Sequence, residues 1–109
     1  MHVSIALRDA QHLSWKTFKK LGDLFGPEQR KEWTPFEMVT ALLEEAGEVA
    51  SAVRGLEGFE RPEELKTKET LATELSDVLF IIFVLAEHYG IELEESFMQT
   101  TNDKFMSML

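Results

Sequence analysis

Carboxylates set where apolar residues belong are the feature that most constrains this chain. Glu45-Ala46-Gly47-Glu48, with Glu44 just before it, and Glu74-Leu75-Ser76-Asp77 are acidic pairs spaced i, i+3, and each interrupts a hydrophobic run. Residues three or four apart lie side by side on a helix, so each pair predicts a two-carboxylate claw. Carboxylates turned toward a helical core repel one another and lose hydration, and a cation among them relieves both costs. A single Glu pair is ordinarily surface charge. Two pairs, both embedded in apolar sequence, shift the reading toward a cation site.

Helical spacing runs through the whole chain. A first helix is expected from about Ser4 to Phe25, along the line Leu7, Gln11, Ser14, Phe18, Leu21 with Trp15 beside it, and Gly26-Pro27 ends it. Lys16, Lys19 and Lys20 give it a basic face, read first as a solvated surface. Thr34-Pro35-Phe36-Glu37 opens the second helix, with Thr34 as N-cap, Pro35 at the first helical position and Glu37 completing a capping box. Trp33 and Met38 are spaced for a hydrophobic staple, and Gly55 is the expected stop. The seam Met38, Ala41, Glu45, Glu48, Ala52 steps by 3 and 4, as packed helices require.

A polar loop over 55–66 leads to a third helix from about Thr67 to Tyr89, along the line Thr70, Glu74, Asp77, Ile81, Val84, His88. Val78 to Ala86 is apolar all round, which predicts burial on more than one side and hence a helix-mediated homo-oligomer, a dimer or a tetramer. Gly90 closes that helix, and a fourth carries the stripe Leu93, Phe97, Thr101, Phe105, Met108. The expected fold class is all-α, a four-helix bundle forming a single domain over residues 1–109.

Composition narrows the function. A net charge of -9 argues against a general affinity for nucleic acid, whose backbone demands clustered Lys and Arg. With no cysteine there is neither a disulfide framework nor a zinc–thiolate site, in keeping with a reducing, cytoplasmic location. The start Met1-His2-Val3-Ser4 lacks the pattern of a signal peptide, and the longest apolar run, Val78 to Ala86, is far short of the roughly 20 residues that span a bilayer. No membrane partner is expected.

If the second and third helices pack antiparallel, their claws face each other across the seam. Oxygen-only ligands select a hard cation, Mg²⁺ or Mn²⁺, and Mg²⁺ commonly completes its shell with water and substrate phosphate. A di-iron bundle wants Glu-x-x-His on two helices, and this chain offers only Asp9-Ala10-Gln11-His12.

At this point the sequence resembles a known family. Glu-x-x-Glu, 25 residues, then Glu-x-x-Asp is similar to the signature of the MazG-type all-α nucleotide pyrophosphohydrolases. The surrounding Leu42-Leu43-Glu44-Glu45-Ala46-Gly47-Glu48-Val49-Ala50 and Glu74-Leu75-Ser76-Asp77-Val78-Leu79-Phe80 match too, as do Tyr89-Gly90-Ile91-Glu92-Leu93-Glu94-Glu95 and Asn102-Asp103-Lys104-Phe105. The resemblance implies Mg²⁺-dependent cleavage of nucleoside triphosphates between the α and β phosphates, releasing monophosphate and pyrophosphate. It assigns Glu45, Glu48, Glu74 and Asp77 to the metal, and Asn102 and Lys104 to substrate. Glu44, next to the claw but off the seam, is the candidate base, and with Glu45 it forms the catalytic pair.

Related sequences often carry arginines near the chain end, where this one reads Phe105-Met106-Ser107-Met108-Leu109. Phosphate contacts then fall to lysines elsewhere, with Lys16, Lys19 and Lys68 as candidates. Trp15 and Trp33 offer aromatic faces to a nucleobase, against core packing as their plainer role. Two alternatives stay open. Phosphoribosyl-ATP pyrophosphohydrolases carry a similar acidic motif, but with Tyr-His soon after the aspartate, where Val78-Leu79-Phe80-Ile81 stands here. The other alternative is a non-catalytic acidic helical interaction module.

Overall fold

A computed structural model describes residues 3–24, 33–59 and 65–109. Among the described residues there are four helices and no strand: α1 is Leu7–Leu24, α2 Pro35–Leu56, α3 Lys68–His88 and α4 Leu93–Ser107. The all-α expectation holds. Among the described residues no helix is long and apolar enough to cross a membrane. Two compact units divide the chain, one formed by the described parts of 1–32 with 83–109 and the other by those of 33–82.

Local chemistry sets the helix ends. At the start of α2 the Glu37 N–H donates to Thr34 Oγ1 at 3.4 Å and the Thr34 N–H donates back to Glu37 Oε2 at 3.3 Å, which is the predicted capping box. Met38 is buried, whereas Trp33 is 40 % exposed. The stop of α2 differs from expectation. The helix runs on through Gly55 to Leu56, and Gly58, at φ 78°, takes the left-handed position. There the Phe59 N–H donates to Arg54 O at 3.0 Å and the Gly58 N–H to Gly55 O at 3.4 Å, the paired bonds of a Schellman cap. Gly55 is small for another reason: a Cβ there would meet the Lys66 backbone N at 3.0 Å and drive into the Lys66 stem.

The third helix begins one residue later than expected, with the Thr70 N–H donating to Thr67 Oγ1 at 3.2 Å. It ends as predicted at Gly90 (φ 67°), where the Ile91 N–H donates to Ala86 O at 2.9 Å. The expected stop of α1 at Gly26-Pro27 lies outside the described residues.

The first unit is tied by a glutamine. Gln11 on α1 is 1 % exposed. Its Nε2 donates to Ile91 O at 2.7 Å, and its Oε1 accepts from the Leu93 N–H at 3.1 Å. Glu92, the N-cap of α4, makes no side-chain cap bond, and Gln11 satisfies from another helix one of the amides that a helix start leaves unpaired. Arg8 Nε donates to Glu92 Oε1 at 3.0 Å, and His12 pairs with Glu87. Leu7, Ser14, Trp15 and Phe18 of the predicted α1 stripe are half-buried, whereas Leu21 is exposed and Phe25 lies outside the described residues. By contrast, Phe97 and Phe105 on α4 and Met108 at its C-cap are exposed, with nothing among the described residues covering their stripe.

Candidate metal centre

The second unit carries the acidic site. Glu45 and Glu48 stand three apart on α2, and Glu74 projects from α3, so that one carboxylate oxygen from each lies within 4.8 Å of the other two. Glu45 and Glu74 are half-buried, and Glu48 is exposed. The seam arithmetic explains the burial, since Met38 and Ala52 bracket Glu45 and Glu48 on the same line and are themselves buried.

Two oxygens, Glu45 Oε2 and Glu74 Oε2, are buried without a hydrogen-bond partner. An ionised carboxylate only accepts, and its neighbours here are other acceptors. The electrostatics record the strain. Burial comes first in pushing the Glu45 carboxyl above the ordinary carboxylate range, with the charges of Glu48 and Asp77 adding to it. Glu74 is raised first by its approach to Glu48, a contact in which one of the two carboxyls must carry a proton, and then by burial and by the Glu48, Asp77 and Glu45 charges. Buried orphan acceptors, a negative field and an oxygen-only donor set together fit a hard cation.

Asp77, the fourth expected ligand, is exposed and not among the three whose oxygens converge, although its charge reaches both Glu45 and Glu74. Glu44, the expected base, is also exposed, and it acts on Glu45 through its charge. Trp33 is in this unit. Trp15, Lys16, Asn102 and Lys104 belong to the other. There Trp15 is half-buried against Phe18, with ring centroids 5.9 Å apart, and Lys19 Nζ stands 5.0 Å from the Trp15 ring. Lys16, Asn102 and Lys104 are exposed on their helices.

A cleft of about 290 Å³ opens beside the carboxylates, lined by Glu48, Ser51, Ala52, Lys66, Thr70 and Glu74. Ser51 and Lys66 escaped the sequence reading. Ser51 has a helical signal, three residues beyond Glu48, whereas Lys66 sits in a loop, where periodicity is silent.

Comparison with known proteins agrees with this geometry. The MazG nucleotide pyrophosphohydrolase domain matches residues 33–107, and the chain belongs to that family. It is also 42 % identical over 76 residues to the uncharacterized protein YvdC of Bacillus subtilis (strain 168), covering 62 % of this chain and 72 % of that protein. No solved structure matches. The family implies nucleotide pyrophosphohydrolase activity in general.

Proposed function

We propose that the chain hydrolyses (deoxy)nucleoside triphosphates between the α and β phosphates in an Mg²⁺-dependent reaction, clearing surplus or unwanted nucleotides. The observation that carries this reading is the convergence of Glu45, Glu48 and Glu74 within 4.8 Å, two of them with buried, unpartnered oxygens. Those three, with Asp77, are the residues to hold the ion. Bound there, Mg²⁺ (or Mn²⁺ in its place) would neutralise phosphate charge and lower the pKa of a water beside it. The chain's own part is positioning and proton transfer. The water oxygen bonds to the α-phosphorus as the bond from that phosphorus to the α–β bridging oxygen breaks. The bridging oxygen departs with pyrophosphate, and the water's proton passes to Glu44.

In this reading residues 1–109 act as one domain, with Trp33 on the substrate side. A homo-oligomer is supported by Leu43 on α2 and Leu75 and Leu79 on α3, large apolar side chains that stay exposed. The deciding experiment incubates the protein with a mixed triphosphate pool, with and without Mg²⁺, and follows pyrophosphate. Metal-dependent release supports the proposal. Failure to release pyrophosphate from any of them, with phosphoribosyl-ATP added as a separate arm, overturns it.

A further inference from the structure

The cleft beside the metal centre divides by charge. Glu48 and Glu74 make one wall, and Lys66, Ser51 and Thr70 bring a cation and two hydroxyls to the rest. Lys66 forms no ion pair with any of the described residues. Lys66 lines the same cleft as Glu48 and Glu74 yet pairs with neither, so its charge is available for a ligand. Its stem is also held. Gly55 is buried and bare on the side where Lys66 packs, closely enough that a Cβ would overlap the Lys66 side chain. Ala52, 1 % exposed, keeps the neighbouring turn of α2 small as well. Two small residues one turn apart thus let the lysine stem lie against α2.

Two more features agree on an anion. Lys66 and Thr70 flank the N-terminus of α3, the positive pole of a 21-residue helix. Among the described residues no aromatic ring lines the cleft, so they offer no stacking surface for a nucleobase. Its volume of about 290 Å³ falls just below the range of ligand sites, which run from roughly 300 Å³ upward.

We infer that Lys66, with the Ser51 and Thr70 hydroxyls, binds the β- and γ-phosphates of the substrate and holds them as the pyrophosphate leaving group. This rests on the triphosphate reading above, and it identifies a basic residue that serves where related chains carry C-terminal arginines. Lys66 acts as a point charge on phosphate oxygens, taking no proton from the reaction. The small residues at 52 and 55 position it.

Lys66→Met is the informative variant, because it keeps the unbranched stem against Gly55 and deletes only the charge. Calorimetric titration with inorganic pyrophosphate in Mg²⁺ buffer is expected to show about ten- to hundredfold weaker binding to Lys66→Met, with Lys66→Arg retaining most of the affinity. Binding of a nucleoside monophosphate, which lacks the β and γ groups, should not change. Equal pyrophosphate affinity in wild type and Lys66→Met overturns the inference, as does an equal weakening of pyrophosphate and monophosphate. These titrations require no turnover, so an inactive wild type would sink the hydrolase reading without deciding this one. In an active enzyme, the KM for triphosphate and product inhibition by pyrophosphate should shift by the same factor.

Discussion

Gln11 is the most exposed to test among the fold's devices, because its work can be separated from its volume. Replacing it by Leu keeps a buried side chain of similar size and removes both amide atoms. The Leu93 N–H, now bonded to Gln11 Oε1 at 3.1 Å, loses its partner in a half-buried position. An orphaned donor of that kind costs about 1–3 kcal/mol. The Ile91 carbonyl loses its 2.7 Å bond, but its residue is 44 % exposed, so water replaces much of it and the loss is about 0.5–1.5 kcal/mol. The third contact, Nε2 to Glu87 Oε1 at 3.4 Å, is long enough to neglect. Together these give about 2–4 kcal/mol. At roughly 2.1 cal/mol/K of unfolding entropy per residue over 109 residues, Tm should fall by about 9–17 °C. Urea denaturation followed by circular dichroism measures the loss, and hydrogen exchange at the Leu93 amide assigns it to the right bond. A Gln11→Leu protein within about 0.5 kcal/mol of wild type, with Leu93 still protected, would refute the argument that this amide depends on α1.

Three further outcomes follow from the acidic site and its frame. Glu45→Gln and Asp77→Asn should each lower kcat/KM for triphosphates by at least about a hundredfold while leaving the far-ultraviolet spectrum intact, and full activity in either would remove that residue from the metal site. In EDTA, Glu45→Gln should be more stable than wild type at pH 7. The Glu45 carboxyl is raised in the fold, so between its unfolded pKa near 4.3 and the raised folded value the native state binds more protons, and wild-type stability falls as pH rises through that window. The advantage of the variant should vanish below about pH 4, a crossover that thermal melts across pH would show. Gly55→Ala should destabilise by about 0.5–2 kcal/mol, since overpacking against Lys66 outweighs the helix-propensity gain. Gly47→Ala, with nothing within 4 Å, should instead stabilise by about 0.5–1 kcal/mol, and melts of the two variants compare them directly.

Much of the site was legible because helices turn a one-dimensional spacing into a face. Glu45 and Glu48 share a face of α2 whatever the rest of the chain does, and Thr34 with Glu37 caps that helix using only neighbours in sequence. The expectation at Gly55 failed for an instructive reason. Glycine suits a helix stop and also suits close approach, and composition alone does not separate the two. The structure shows close approach at Gly55, with the left-handed stop at Gly58. Gln11 was visible as one member of a stripe, but a polar residue on an apolar line does not announce which backbone it will bind.

What the sequence determined by itself was therefore everything of short range: an all-helical chain, most of the helix ends, and two acidic claws in apolar surroundings. The tertiary structure alone decided which carboxylates meet. It brought Glu74 of α3 to Glu45 and Glu48 of α2, left Asp77 outside that trio, and set Lys66 and Ser51 beside them. The physical reason is range. Periodicity orders residues on one helix to within a turn, whereas the distance between two helices depends on the side chains between them. Here a Cβ at Gly55 would overlap the Lys66 stem, a contact that periodicity along α2 does not announce.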